Sequence, residues 1–322
     1  MTGQTENTPQ PLVPPSAPLS FLERYSISPV VFAFVCLLIV FVFYQVIGGF
    51  ITLMLVGSKV TAENVMMHRV FTMVGQILFI LIPTLLFARL LDHRLSRVFP
   101  WRMPQVGETI FSVLSLLFLQ QVLQIVLFFQ DRIPLPESVK EVVDPARQML
   151  EEMFRTLVSA NGLPELLFVL LVVSVTPAIV EELLFRGLVQ GSLQQRLKPI
   201  RAAIWTGVIF GLFHFNPFAL VPLAALGCFF GFIRMRSKSI VIAMTVHFLN
   251  NTLAVVVSFF HVDDKMVIGA TEGVDINITA ILAQLLFFSM LFVVAFSSYL
   301  RVTKDVHFAG EQGRADRHQT LA

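Results

Sequence analysis

Eight apolar runs separated by polar connections dominate the chain. They occupy about residues 30–56, 70–91, 108–129, 163–185, 202–215, 217–233, 239–260 and 277–300. A helix needs about 20 apolar residues to cross the roughly 30 Å hydrocarbon core of a bilayer, and the run 202–215 is short for that purpose. Pro217 separates it from the next run, so the two are either two spans or one re-entrant hairpin. The pattern predicts an all-α, polytopic transmembrane bundle of about eight segments.

The composition agrees with this prediction. Of 322 residues, 56% are hydrophobic and 14% are charged, whereas about a quarter of the residues in a soluble domain are charged. The net charge of +2 gives no indication of a nucleic-acid partner. The two cysteines, Cys36 and Cys228, lie within apolar runs and imply no disulfide framework.

The connections between the runs differ in charge. The connections 89–102, 186–201 and 234–238 are basic, and they fall on one side if the spans alternate. The acid-rich connections 130–162 and 261–276 fall on the other side. Under the positive-inside rule the basic side and both termini are cytoplasmic. We therefore expect an integral protein of the cell (inner) membrane.

Polar segments at both ends set the outer boundaries of the bundle. The amino-terminal segment is polar and rich in proline, which is typical of a disordered tail, and the carboxyl-terminal segment is also polar. These features predict a cytoplasmic tail at 1–28, a first group of transmembrane helices at 29–130 and an amphipathic connection at 131–162. They then predict a catalytic transmembrane core at 163–260, a last loop with its helix at 261–300 and a second cytoplasmic tail at 301–322.

The connection 131–162 contains a predicted amphipathic helix. Asp144 is placed as its N-cap, Pro145 as its first helical residue, and Gly162 after its end. Apolar residues between them recur at helical spacing, with charged residues on the other faces. Such a helix lies on the membrane or covers the bundle.

Two adjacent glutamates, Glu181 and Glu182, end one apolar run, and Arg186 follows four residues after Glu182. Ionisable residues at membrane depth are costly, so they suggest a functional site. Positions i and i+4 share a helix face, whereas neighbours are turned by about 100°. We therefore predict that Glu182 pairs with Arg186 and that Glu181 faces a cavity. The alternative for the pair is an interfacial ion pair without function.

Three further polar residues interrupt the later apolar runs. His214 lies in the run 202–215, and His247 and Asn251 share a helix face by their i, i+4 spacing. The structural alternatives are a satisfied core histidine and an interhelical hydrogen bond. Together with the glutamates, however, these residues predict a polar cavity within the membrane.

The combination of residue types is suited to hydrolysis. A carboxylate can take a proton from water, and a nearby histidine can position that water. A second histidine with an asparagine amide can stabilise the resulting oxyanion. None of the seven histidines is followed by glutamate, so the chain has no His-Glu-x-x-His zinc motif. Because the fourth run ends among basic residues, we expect the site to open toward the cytoplasm.

These residues carry a family resemblance. The sequence Glu181-Glu182-Leu-Leu-Phe-Arg186 resembles the EExxxR motif of the CAAX-protease and bacteriocin-processing (CPBP, or Abi) family of intramembrane proteases. Two later segments are similar to its FxxxH and HxxxN motifs, namely Phe210-Gly-Leu-Phe-His214 and His247-Phe-Leu-Asn-Asn251. The resemblance covers about residues 160–255.

The resemblance implies a bundle with a polar conical cavity and an endopeptidase activity on peptide or membrane-protein substrates. It makes Glu181 the base that activates water and His214 its partner. It places His247 with Asn251 at the oxyanion, and it has Glu182 and Arg186 support the geometry. Prenylated CaaX proteins, peptide pheromones or bacteriocin leaders, and membrane-protein segments all remain open as substrates.

Other functions and a metal also remain open. A transporter or proton relay would use the same buried ionisable residues, and a non-catalytic immunity or scaffold protein would keep the fold. The family has been described both as metalloproteases and as metal-independent glutamate proteases. Glu181, His214 and His247 are the candidate zinc ligands, but they lack the tight helical spacing of a zinc motif. We favour water activated by glutamate without a cofactor.

Overall fold

The computed structural model describes residues 20–260 and 277–306. Over these residues the chain is helical and contains no strand. Its helices, numbered α1 to α11, are Phe21–Arg24, Pro29–Val56, Val65–Leu91, Leu95–Val98, Val106–Gln130, Glu137–Val158, Leu163–Leu193, Pro199–Phe213, Leu220–Ser237, Ile240–Phe259 and Ile278–Val302.

The predicted membrane segments are confirmed. Seven of the described helices are long and apolar enough to cross a membrane, and α8 is a shorter apolar helix of 15 residues. Their ends lie close to the predicted ones except in α7, which continues to Leu193 instead of ending at residue 185. The charged side chain of Arg186 does not end the helix, because it is fully buried and paired within the bundle.

Helices α8 and α9 form an antiparallel hairpin joined by residues 214–219. They cross at Gly207 and Gly227, and a Cβ atom on Gly227 would lie 2.7 Å from the carbonyl oxygen of Gly207. A Cβ atom on Gly207 would overlap the backbone of Cys228. Glycine at both positions therefore permits an approach of the two backbones that no side chain would allow.

The amphipathic connection forms a helix that is longer than predicted. Helix α6 begins at Glu137, and Pro145 lies inside it. The prediction that Asp144 is the N-cap and Pro145 the first helical residue was wrong. The proline removes one intrahelical hydrogen bond, and most of α6 lies at the surface, where water can satisfy the freed carbonyl group. Its end at Val158 agrees with Gly162 lying beyond the helix.

A buried arginine joins α6 to the transmembrane bundle. The side chain of Arg69, in α3, is inaccessible to solvent and donates to the carbonyl oxygens of Thr156, Leu157 and Ser159 at the end of α6. The same guanidinium lies 2.6 Å from a carboxylate oxygen of Glu165, in the first turn of α7. The carboxyl-terminal end of α6 is thereby held against the bundle.

The amino-terminal boundary differs from the prediction. Residues 20–28, assigned to a disordered tail, contain α1, in which the side chains of Ser20 and Glu23 form a reciprocal capping box. Leu22 packs into the hydrophobic core. Residues 1–19 and 307–322 of the predicted tails, together with residues 261–276 of the last predicted loop, lie outside the described residues.

Candidate active site

Glu182 lies in a closed, charged cluster. Its Oε1 atom is 2.9 Å from Nη1 of Arg186 and 2.8 Å from Nδ1 of His247. The side chains of Glu182 and Arg186 are both inaccessible to solvent. Arg186 also donates through Nη2 to the carbonyl oxygen of Gly227, at 2.9 Å. The predicted i, i+4 contact between Glu182 and Arg186 is thus present, and it ties α7 to α9 and α10.

Aromatic rings enclose this cluster. The guanidinium carbon of Arg186 lies 4.6 Å from the centre of the Phe210 ring. The imidazole of His247 stacks on Phe230, with 5.1 Å between the ring centres. A charge inside an apolar bundle requires partners, and here they are a carboxylate, a carbonyl oxygen and the faces of aromatic rings. Glu182 is therefore held by protein groups through Oε1, while its buried Oε2 atom has no hydrogen-bond partner.

Glu181 faces the other way, toward His214. Its Oε2 atom lies 3.9 Å from Nε2 of His214 and has no hydrogen-bond partner in the protein. The Nδ1 atom of His214 is 2.7 Å from the carbonyl oxygen of Phe210. A carbonyl oxygen only accepts hydrogen bonds, so Nδ1 carries the hydrogen and Nε2 is left facing the carboxylate. The gap exceeds a hydrogen bond, so the two groups face each other without a direct bond.

Both residues line a cavity of about 1160 Å³. Its inner part lies among residues of α2, α3 and α7, including Tyr44, Gln76 and Glu181. Apolar side chains of α6 cover part of it, namely Leu150, Met153, Phe154 and Leu157. A mostly apolar cavity with a few convergent polar groups is the usual form of a ligand site.

The cavity reaches one end of the bundle only. Its lining includes Gly57 and Ser58 after α2, Asp131 after α5, and Asn216 in the turn between α8 and α9. No residue of the basic connections 89–102, 186–201 or 234–238 lines it. The prediction that the site opens toward the basic end was therefore wrong. Helix α7 continues beyond the glutamates to Leu193, so Glu181 lies about 18 Å from that end of the helix.

Asn251 is engaged within the fold. Its Nδ2 atom donates to the carbonyl oxygen of Val173, at 2.9 Å. Pro177, four residues after Val173, has no N–H group to give that carbonyl oxygen its usual helical hydrogen bond. The amide oxygen of Asn251 accepts from Asn250, whose own oxygen accepts from Gln120. This chain of amides connects α5, α7 and α10.

The structure therefore divides the predicted site residues into two groups. Glu181 and His214 face each other in the cavity. Glu182, Arg186 and His247 form the closed cluster behind them, and neither His247 nor Asn251 lines the cavity. The single helical step between Glu181 and Glu182 separates the two groups, as the helical geometry predicts.

The amino-terminal half contributes residues that the motif analysis missed. Tyr44, Gln45, His68 and Gln76 line the same cavity. The Nε2 atom of Gln45 donates to the carbonyl oxygen of Phe213, at 2.9 Å, and so holds α2 beside His214. The signal available in the sequence was the presence of polar side chains in apolar runs, without a motif to connect them.

The candidate zinc ligands do not form one group. His247 donates to Glu182 and lies outside the cavity lining, whereas Glu181 and His214 face each other within it. Over residues 20–260 and 277–306, no three His, Cys, Asp or Glu side chains are arranged to hold a metal ion. Since a zinc site in an enzyme normally uses three protein ligands, this arrangement does not fit one.

Comparisons with known proteins match the region that carries these residues. Residues 163–253 match the family described as "Type II CAAX prenyl endopeptidase Rce1-like". An 87-residue stretch is 31% identical to the "Putative membrane peptidase YdiL" of Bacillus subtilis (strain 168), and it covers 27% of this chain and 36% of that protein. No solved structure matches the chain. The resemblance to the CAAX-protease and bacteriocin-processing family is thus confirmed for this region.

Proposed function

We propose that the chain is an intramembrane endopeptidase in which a water molecule between Glu181 and His214 attacks a peptide carbonyl group. The observation that carries the proposal is that Glu181 and His214 line one large cavity and face each other there, with 3.9 Å between Oε2 of the carboxylate and Nε2 of the imidazole. A carboxylate without a protein partner in such a position is suited to accept a proton from water. The similarity to membrane peptidases supports the same reaction class.

The proposed reaction has two proton transfers and uses no cofactor. The carboxylate of Glu181 takes a proton from the water, and the water oxygen forms a bond to the carbonyl carbon. The tetrahedral intermediate then collapses, the C–N bond breaks, and Glu181 returns its proton to the departing amine. His214 holds the attacking water through Nε2, because its Nδ1–H group is occupied by Phe210. The products are a carboxylic acid and an amine, and Glu181 is again a carboxylate.

Glu182, Arg186 and His247 support this geometry from behind. Each of them has protein partners, and the cluster connects the helix that carries Glu181 to α9 and α10. In our proposal these residues fix the direction of Glu181 and do not exchange protons with the substrate. The oxyanion role that the resemblance implies for His247 and Asn251 stays a prediction.

The lining and the opening of the cavity suggest which substrates it receives. Apolar side chains of α2, α3 and α6 form most of its wall, so an extended apolar peptide or a segment of a membrane protein would fit best. The cavity is reached from the end opposite the basic connections. If the basic connections are cytoplasmic, the substrate enters from the other side of the membrane.

The activity is tested with purified protein reconstituted into lipid nanodiscs. The protein is incubated with peptides and solubilised membrane proteins from the source cells, and new amino termini are identified by mass spectrometry. We expect termini that form with the wild-type protein and are absent with Glu181→Gln. The same termini in both samples, or no new termini with the wild-type protein, would contradict the proposal.

The side of entry is tested by cysteine labelling in intact cells. A variant without Cys36 and Cys228 receives one cysteine, either at Ser58 beside the cavity or at Lys238 in a basic connection. We expect an impermeant maleimide added outside to label Ser58→Cys and to leave Lys238→Cys unlabelled until the cells are opened. The reverse pattern would place the cavity on the cytoplasmic side.

A further inference from the structure

The end of α8 determines where the side chain of His214 lies. The last four carbonyl oxygens of a helix lack the usual partner within it, and in α8 they belong to residues 210–213. The first three accept from the His214 side chain and from backbone N–H groups of the turn that follows. The fourth, that of Phe213, accepts from Nε2 of Gln45 at 2.9 Å. A side chain from α2 thus completes the end of the helix.

The bond from Gln45 acts on the backbone of His214 itself. The carbonyl group of Phe213 and the N–H group of His214 belong to one planar peptide unit, so a partner fixed to that oxygen restricts the rotation of the unit. The imidazole of His214 turns back to the same helix end, where its Nδ1 atom lies 2.7 Å from the carbonyl oxygen of Phe210. In this orientation its Nε2 atom lies 3.9 Å from Oε2 of Glu181.

Helix α2 also holds the residue that follows His214. Phe215 has a φ angle of 52°, a left-handed conformation that is costly for a residue with a side chain. The ring of Phe41 packs against that of Phe215, with 5.3 Å between the ring centres, and against that of Phe213, with 5.8 Å. Phe41 and Gln45 are four residues apart and share a face of α2. One face of α2 therefore contacts the chain on both sides of His214.

Gln45 is unusual for its place in α2. It is the only amide side chain in Pro29–Val56, and a polar group within an apolar bilayer needs a partner in the protein. It lies in the stretch Val42–Gly48, which is wound as a π-helix, a rare form that is frequent at functional sites. This helix lies outside the residues 163–253 that match the peptidase family, so the family motifs gave no signal for it.

We propose that Gln45 is a positioning residue, which orients the imidazole of His214 toward Glu181 by holding the carbonyl oxygen of Phe213. Its effect on catalysis rests on the proposed peptidase function, whereas the orientation of the imidazole does not depend on that function. Gln45 lines the same cavity as Glu181 and His214, but in this role it acts through His214 and exchanges no proton with the substrate.

The kinetic test is Gln45→Met, which keeps the length of the side chain and removes the donor. A small misplacement of a catalytic group can cost about 10²-fold in rate, so we expect kcat to fall by about 10- to 10²-fold with little change in KM. Gln130→Met is the matched control. Its Nε2 atom donates to another carbonyl oxygen of the same turn, that of Phe218, at 2.7 Å, and its loss should leave kcat per folded molecule unchanged.

A double-mutant cycle separates positioning from a general effect on the fold. If Gln45 acts through the imidazole, its replacement has nothing left to disturb once His214 is gone. We therefore expect Gln45→Met to lower kcat in the wild-type background and to leave the residual kcat of His214→Ala unchanged. A merely structural role would lower kcat by the same factor in both backgrounds.

A labelling measurement tests the orientation without proteolysis. The His214 side chain is 30% exposed, so diethyl pyrocarbonate can reach its imidazole, and mass spectrometry measures the rate of modification. We expect a several-fold faster rate in Gln45→Met, because the ring is no longer held, and the wild-type rate in Gln130→Met. If Gln45→Met does not fold, Gln45→Asn, whose amide is one methylene closer to the backbone, should give the same result.

The outcomes distinguish this inference from the proposed function. An unchanged labelling rate in the folded Gln45 variants, or an equal loss of kcat with and without His214, would overturn the inference alone. No cleavage by the wild-type protein would overturn the proposed function, and the labelling rate would then decide whether Gln45 orients His214.

Discussion

The two glutamates of α7 are adjacent in sequence and have opposite environments. Glu182 is inaccessible to solvent and is paired with Arg186 and His247. Glu181 is 13% exposed, lines the cavity and lies 3.9 Å from its nearest ionisable partner, Nε2 of His214. Successive residues of a helix point about 100° apart, so Glu182 is buried among helices α8 to α10 while its neighbour Glu181 lines the cavity.

This difference separates stability from chemistry. A buried charge pair is costly to break because the remaining charge has no solvent, so the Glu182 cluster fixes the helices in one arrangement. A carboxylate in the cavity can gain and lose a proton without disturbing the packing. The two side chains have the same chemistry, and their surroundings suit them to different tasks.

The largest expected effect is on activity at Glu181. Glutamine keeps the size of the side chain and removes the base, so Glu181→Gln should lower peptide cleavage by about 10²- to 10⁴-fold. Its thermal unfolding in detergent should resemble that of the wild-type protein. The matched control is Glu151→Gln, which makes the same change at another residue that lines the cavity, on α6, and should keep activity. Equal activity in both variants would remove Glu181 from its role.

The next effect is on stability at Glu182. Glu182→Gln leaves the buried guanidinium of Arg186 with the carbonyl oxygen of Gly227 and no carboxylate, which should cost about 3–5 kcal/mol. Glu165→Gln is the comparison, because Arg69 keeps three carbonyl acceptors after that change and should lose less. Thermal unfolding and the yield of membrane-inserted protein would measure both. A larger loss in Glu165→Gln would contradict the ranking.

A smaller effect is expected at the crossing of α8 and α9. Gly207→Ala would push the hairpin apart and move the carbonyl oxygen of Gly227 away from Arg186. Overpacking of this kind typically costs about 1–3 kcal/mol. Gly49→Ala is the control, since no atom lies within 4 Å of an added Cβ atom there, and it should be neutral in thermal unfolding. Similar stability of both variants would show that the close approach at Gly207 is dispensable.

The smallest expected effect is that of chelation. Because Glu181, His214 and His247 do not converge, we expect peptide cleavage to be unchanged after exhaustive dialysis against a strong chelator. Metal analysis of the dialysed protein accompanies the assay. Activity that disappears on chelation and returns with added zinc would require a site other than the arrangement described for these three residues.

Local features of the sequence predicted much of this arrangement. The apolar runs predicted the membrane segments, because a helix that crosses a bilayer must present an apolar surface over its whole length. The spacing of Glu182 and Arg186 predicted their contact, since residues four apart are neighbours on any helix. The same geometry directed Glu181 to the opposite face. Each of these inferences concerns residues within one helix.

Contacts between distant helices were beyond such reasoning. Hydrogen-bond partners such as His247 for Glu182, and Val173 for Asn251, depend on how α7 and α10 pack. Spacing within α10 places His247 and Asn251 on one face but does not say which helix that face meets. The place of Tyr44 and Gln76 in the cavity lining was hidden for the same reason, because no local pattern relates α2 and α3 to α7.

The sequence by itself determined that the chain is a helical membrane protein, where its spans lie, and which residues hold its ionisable groups, because these follow from hydrophobicity and the period of one helix. Only the tertiary structure decided that His247 is hydrogen-bonded to Glu182, that α6 covers part of the cavity, and that the cavity opens away from the basic connections. These properties depend on the packing of helices that are far apart in the chain.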